Sequence, residues 1–386
     1  MAIVTASAKP DVSILSSGHD VADARLHRHC AALHRAGLSV EVLARGAVAD
    51  APEHAGFRPI KPRGIAGRAM AALVLPSRAR GRVLVTLDPD LIPAARVRSA
   101  LGRRLAVDMH EDYLALLEDR AWAKGPAGAL ARTWARTAVS LSRRADLTVV
   151  ADEHVPPASA ANRLLVRNLP DLSLLPPSAE PGPTPRALYV GDVRKSRGLF
   201  SMLRAIELAP EWELDIVGPV AARDREQLAA WQAESAASAR VRVHGRMPPA
   251  AAWRLATGAW AGLSLLESTP AFEAAIPSKI YEYFACGLPV LTTPIRRAAD
   301  LVLGADAGLV TQDAEQAAAA LRAWSGEGRG DYDRYRLAAL RQSRLEHSAQ
   351  SPYDRFAEAV AVLADRGSRS RGAQVGDAAT AAWQKR

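Results

Sequence analysis

Two series of short apolar runs, each run followed by a stretch with helical periodicity, constrain this chain more than any other feature. Val12–Ser17, Val40–Ala44, Val83–Leu87, Leu105–Asp108, Leu147–Val150 and Leu164–Val166 form the first series. Ala187–Val190, Leu214–Val217, Val241–His244, Ala261–Leu266 and Val290–Thr293 form the second. Ala22–Ala36 is the clearest helical stretch and stops at Gly37, as helices do at a residue tolerant of left-handed backbone. Strands alternating with helices predict parallel sheets covered on both faces. Asn168–Pro185, with Pro170, Pro176, Pro177, Pro181, Pro183 and Pro185, interrupts the pattern and reads as a linker. A length of 386 residues suits two domains. The expected division is 1–170, a linker over 171–186, a second domain over 187–350, a helix over 351–366 crossing back to the first domain, and a mobile tail over 367–386. Two doubly wound halves place a site between them, at the carboxyl ends of the strands.

The net charge is +9 and uneven. Residues 1–170 hold 24 Lys and Arg against 16 Asp and Glu; the remainder is almost balanced, 26 against 25. Between His54 and Leu87 there is no acid, while Arg58, Lys61, Arg63, Arg68, Arg78, Arg80 and Arg82 are basic. Around the apolar Met70–Leu75, this stretch suggests peripheral contact with an anionic membrane surface; a solvated basic loop is the plainer alternative. With 5% aromatic residues and no recognisable module, a nucleic-acid partner is not expected. No apolar run approaches the ~20 residues of a membrane span. Met1–Val12 lacks the basic start and apolar core of a secretory signal, so the cytoplasm is the expected location. Cys30 and Cys286 are too few and too far apart for a disulfide framework or a zinc site.

The stretch with the most chemistry runs from Ile276 to Val290. Pro277 precedes Ser278, a preferred N-cap type, and the free N–H groups of such a helix start form an anion site. Lys279 adds a full positive charge. Glu282 lies one turn on, placed to accept hydrogen bonds from ribose hydroxyls when a phosphate sits at the helix start. Only six lysines occur, and two of them, Lys195 and Lys279, fall in the two loops suited to phosphate. Arg194 and Arg197, around Lys195, are suited to forked contacts with phosphate oxygens. No Gly-x-Gly-x-x-Gly is present, so a dinucleotide oxidoreductase is unsupported. Asp88-Pro89-Asp90 has the form of a metal motif but suits a loop or helix start better. His19, His27, His29 and His34 have no metal-ligand spacing and read as surface or packing residues.

The pattern Pro277-x-Lys279-x-x-Glu282-Tyr283-x-Ala285-x-Gly287-x-Pro289-Val290 resembles the nucleotide-binding segment of family 4 glycosyltransferases. That resemblance implies an α/β, GT-B architecture: two Rossmann-like doubly wound domains facing across a cleft. Other pieces fall in the family's order: Ser17-Gly18-His19-Asp20, Asp23-Ala24-Arg25, Leu87-Asp88-Pro89-Asp90, Val107–Tyr113, Tyr189-Val190-Gly191 with its basic loop, and Val243-His244-Gly245-Arg246. It implies a retaining, hexosyl-type transferase that needs no metal and no cofactor, and takes a nucleoside-diphosphate sugar of the UDP or GDP type. Gly191, Arg194, Lys195, Arg197, Pro277, Ser278, Lys279 and Glu282 would then hold the donor, with His244 beside the base pocket. Arg197 and Lys279 would also stabilise the leaving diphosphate. His110 would bond the donor sugar or orient the acceptor, an acceptor still to be identified: lipid-linked, or a polysaccharide or secondary-metabolite precursor. Gly18, Asp23 and Arg25 belong to the acceptor side, where Asp23 and Arg25 either shape the site or lock the first loop to the sheet. One departure is Ala274, where the family often has a first glutamate; Glu273, one residue away, is its only nearby substitute. An epimerase of the same architecture, and a weakened nucleotide-sugar-binding partner subunit, are the alternative functions.

Overall fold

The computed structural model describes residues 9–118, 125–269, 272, 276–347 and 350–369. Glu273, Ala274 and the tail beyond Arg369 lie outside them. Thirteen strands form two sheets. The first contains β1 (Val12–Asp20), β2 (Val40–Arg45), β3 (Ala55–Pro59), β4 (Val83–Thr86), β5 (Arg104–Met109), β6 (Leu147–Val150) and β7 (Arg163–Leu165). The second contains β8 (Arg186–Val190), β9 (Glu213–Val217), β10 (Val241–Gly245), β11 (Ala261–Ser264), β12 (Val290–Thr292) and β13 (Gly308–Val310). Their orders are 3-2-1-4-5-6-7 and 10-9-8-11-12-13. Every pairing is parallel. In each sheet the order reverses beside the first strand, β1 or β8, and that reversal opens a crevice at the carboxyl ends.

Both faces of each sheet are apolar, as two-sided helix cover requires. Val12, Ile14, Val83 and Val85 pack on one face of the first sheet; Leu15, Leu84, Leu105 and Val107 pack on the other. Leu214, Ile216 and Leu263 face one side of the second sheet, and Leu188, Val217 and Val290 the other. The chain's last described helix, Pro352–Arg369, lays Tyr353, Phe356 and Val360 into the cluster of Val12, Ile14 and Leu26. It therefore packs on the first sheet although it follows the second in sequence.

Several elements, β13 among the strands included, have no counterpart in the sequence expectation, and two are instructive. β3 lies inside the acid-free stretch; its Ala-Gly-Phe-Arg-Pro sequence has no period-2 pattern, and as an edge strand it tolerates Pro59. The helix Arg329–Glu346 is strongly polar, yet buries Tyr332, Ala338 and Ala339. The acid-free stretch itself is less free than its sequence implies. Arg58 and Arg80 pair with Glu41, Arg82 with Asp11, and Arg68 with Asp88 and Asp90. The acids come from distant parts of the chain, which a local count of charge does not register. Among the described residues Lys61, Arg63 and Arg78 are left without an ion pair, beside Ile65, Met70 and Leu73, exposed on the helix Gly64–Arg78.

Candidate active site

The donor side is built where β8 and β9 end. Gly191, just past β8, has φ +143°, and its N–H donates to the Val217 carbonyl. A Cβ on Gly218 would lie 1.8 Å from the Gly191 carbonyl oxygen, so glycine alone lets these two strand ends approach so closely. The chain then turns through Lys195–Arg197 to Gly198, at φ +83°. The turn is pinned by the Lys195 N–H, which donates to Asp224 at 3.0 Å.

Against this loop stands the helix Lys279–Ala285. It has seven residues, so its dipole is small, and the positive charge comes from side chains instead. Ser278 is not the side-chain cap expected from its type. Its backbone is already helical (φ −54°, ψ −29°) and its hydroxyl makes no capping bond; such a bond needs extended backbone. Pro277, Ser278, Lys279 and Glu282 all face the cleft. Lys279 is 5% exposed, and its Nζ sits 3.7 Å from the Tyr189 ring centroid with no hydrogen-bond partner among the described residues. The Nε atoms of Arg194 and Arg197 are likewise buried without a partner. Burial first, then the charge of Arg197, hold the Lys279 pKa well below the usual lysine value. Lys279 thus stands beside Gly191 with an unsatisfied amine in the field of Arg197 and Arg194, a costly arrangement that an anion in the cleft would relieve.

Two adjoining cavities, of about 240 and 500 Å³, make up the cleft between the halves. Asp23, Asp192, Arg197, Arg246 and Ser278 line both. The smaller also has Gly191, Gly218, Met247, Trp253, Lys279 and Glu282, a mixed polar and apolar wall. The larger is walled by Gly18, His19, Arg25, His110 and Glu111, from the first domain.

The first-domain wall is organised by carboxylates behind it. Asp88 Oδ2 accepts from Ser16 Oγ, Ser17 N and Gly18 N at 2.6, 2.9 and 3.1 Å; Oδ1 faces His19 and Arg68. It therefore holds the Gly18 loop, the structural role its position after a strand suggested. A Cβ on Gly18 would come within 2.7 Å of the Arg68 guanidinium. Burial alone would lower the His19 pKa, but the Asp88 carboxylate, 3.1 Å from Nδ1, pushes it up to about 9. Asp23 caps the helix Ala24–Arg35, accepting from Arg25 N and Leu26 N. Arg25 clasps buried Asp108 through two bonds of 2.6 and 2.8 Å and also donates to Asn168. Of the two roles open to Asp23 and Arg25, both make locking contacts, at the cavity's edge. His110 follows β5 and packs edge-on against His19 (5.0 Å) and Tyr113 (6.0 Å); its Nδ1 has no hydrogen-bond partner among the described residues.

Other expected residues stand elsewhere. Lys195 is exposed and lines neither cavity. His244 is exposed and bonds Asp215 at 2.7 Å, while Arg246, two residues on, turns into the cleft. β10 ends at Gly245, whose φ of +72° and shifted register let the chain change direction between His244 and Arg246. His19, expected as a surface or packing residue, lines the cleft beside His110. His27 and His29 are buried packing residues, His29 against Asp108 and Phe356. Arg28, absent from the residues expected in the site, reaches out of the first domain to pair with Glu282. Its signal was present: Arg25 and Arg28 are three apart on one helix, hence on one face.

Residues 174–336 match the protein family described as Glycosyl transferases group 1. No curated protein matches the chain by sequence. Solved structures similar to it include a sucrose-phosphate synthase from Thermosynechococcus elongatus (15% identity, TM-score 0.61, 93% of this chain and 98% of that one). Anabaena HepE in complex with UDP is similar at 14% identity and TM-score 0.60, over 93% and 98% of the two chains. WaaG, a glycosyltransferase involved in lipopolysaccharide biosynthesis, is similar at 15% identity and TM-score 0.58, over 91% and 99%. The chain thus has the GT-B fold, and residues 174–336, in its second half, match the group 1 glycosyltransferase model.

Proposed function

We propose that this protein is a retaining, family 4-like glycosyltransferase that moves a sugar from a nucleoside-diphosphate sugar to an acceptor held by the first domain. The observation that carries this is Lys279 Nζ, buried without a hydrogen-bond partner among the described residues beside Gly191, with Arg197 lining the same cavity. A diphosphate supplies the missing acceptors. As the glycosidic bond breaks, negative charge grows on that diphosphate, and fixed cations in a dry site stabilise it more than they stabilise the bound donor. The smaller cavity, between Gly218, Met247 and Trp253, suits the nucleoside. The larger, polar cavity near His110 suits the donor sugar and the acceptor's reacting hydroxyl. HepE, similar in fold, binds UDP and UDP-glucose, which favours a UDP-type donor. Front-face attack, with the leaving phosphate helping to take the acceptor proton, is the family mechanism this reading adopts. The exposed Ile65, Met70 and Leu73, next to Lys61 and Arg63, favour peripheral contact with an anionic membrane, and hence a lipid-linked acceptor. A cytoplasmic location agrees with this; no described helix is long and apolar enough to cross a membrane.

The test contrasts Lys279 with Glu282. Lys279→Ala should weaken donor binding and slow turnover by roughly 10²–10³-fold, the loss typical of one preorganised transition-state donor. Glu282→Ala, acting on a ribose whose charge does not change, should raise KM more than it lowers kcat. Normal nucleoside-diphosphate binding and normal turnover in both variants would dispose of this donor site.

A further inference from the structure

Glu282 is held from the other domain. Arg28, on the helix Ala24–Arg35, donates through Nη2 to Glu282 Oε1; the other carboxylate oxygen accepts no hydrogen bond among the described residues, and Glu282 lines the smaller cavity. Both side chains are almost fully buried, at 4% and 7% exposure. Arg28 is itself supported. Its Nη1 approaches Tyr353 Oη at 3.4 Å, and Arg25 approaches the same oxygen at 3.4 Å. The guanidinium carbons of the two arginines lie 5.9 and 5.8 Å from the Tyr353 ring centroid. Arg25 is anchored on Asp108 of β5. A continuous chain of contacts thus runs from the first sheet, through Arg25, Tyr353 and Arg28, to a carboxylate in the second domain.

We infer that Arg28 is a positioning residue for the donor, which fixes Glu282 from the opposite domain so that its remaining oxygen meets the ribose hydroxyls. The inference rests on the proposal that Glu282 binds the ribose. The physical reason is that a glutamate on a seven-residue helix has three rotatable side-chain bonds, and one ionic hydrogen bond at Oε1 leaves Oε2 in a defined direction. The ribose contact then forms fully only when the two domains are apposed, since half of the arrangement belongs to each. Donor binding and domain closure become one event.

The ratio of dissociation constants for 2′,3′-dideoxy-UDP and UDP, measured by calorimetry, isolates the ribose contact. Because both constants come from the same preparation, partial inactivity cancels. The parent protein should favour UDP by about 10-fold or more, as hydrogen bonds to a charged acceptor allow. Glu282→Ala should bring the ratio close to one; if it does not, Glu282 does not bind the ribose, and both the donor-site assignment and this inference fall. If Glu282→Ala lowers the ratio but Arg28→Met leaves it at the parent value, the ribose assignment stands and the role of Arg28 is refuted. The expected result is a several-fold smaller ratio in Arg28→Met, partly restored in Arg28→Lys, with donor KM raised more than kcat is lowered. Arg28→Met leaves a buried carboxylate unpaired and is at risk of not folding. The double variant Arg28→Met/Glu282→Gln removes both charges and covers that case. Its ratio should equal that of Glu282→Gln alone, because Arg28 acts only through Glu282; a further drop would overturn the inference.

Discussion

Replacing His19 by glutamine should make the protein's stability respond differently to alkali, by an amount the structure sets. His19 Nδ1 lies 3.1 Å from buried Asp88 Oδ1, and its pKa is pushed from 6.5 up to about 9 despite burial. A group whose pKa is higher in the folded state stabilises the fold fully below its unfolded value. That stabilisation is lost as pH rises through the folded value, here between pH 6.5 and about 9. At 1.36 kcal/mol per tenfold change in proton affinity, the full contribution is roughly 3 kcal/mol. The side chain is 29% exposed, so solvent screening trims this to about 2–3 kcal/mol. For a domain near 170 residues, that corresponds to a melting shift of about 5–10 °C. The assay is denaturant or thermal unfolding of parent and His19→Gln at about pH 6 and about pH 9.5, compared as the gap between the two proteins, which cancels every other titrating group. The parent should be the more stable at the lower pH, and the gap should close at the higher. Asp88 keeps Ser16, Ser17, Gly18 and Arg68 in the variant, so the loop should remain folded. A gap of the same size at both pH values would show that folding leaves the His19 proton affinity unchanged and that Asp88 does not stabilise its charged form.

His110→Ala should leave the fold and nucleotide binding intact while lowering turnover strongly, because His110 lines the acceptor-side cavity after β5; unchanged turnover with a good acceptor would make His110 structural. Transfer should continue in chelator: both oxygens of Asp88 are already engaged, and Asp90 accepts from Ser17 and Arg68. Activity lost in chelator and restored by manganese or magnesium would return these aspartates to a metal site. The protein should sediment with anionic vesicles and not with neutral ones, more weakly as salt rises past ~0.1 M, where screening sets in beyond ~10 Å; equal partition to both, or binding to neither, would remove the membrane contact.

The sequence alone determined the architecture of this protein. Alternating apolar runs and helical stretches, split by a proline-rich linker, are local patterns, and local patterns decide element type and the placement of a site at strand ends. Lys279 and Glu282 were legible for a related reason: a Pro-Ser-Lys-x-x-Glu spacing sets one side of one helix. The tertiary structure decided what each charge meets. Asp11, Glu41, Asp88 and Asp90 neutralise four of the seven basic residues in the acid-free stretch, across separations invisible to a window of sequence. The break of β10 at Gly245, with its left-handed backbone, leaves His244 on Asp215 and lets Arg246 enter the cleft. His19 became a cleft residue with a raised pKa only because β1 and β4 run side by side and bring Asp88 to it. Arg28 and Glu282 are 254 positions apart, and nothing in either local pattern links them. Their contact exists because two separately legible domains face each other, and packing between domains is set by surfaces that no periodicity encodes.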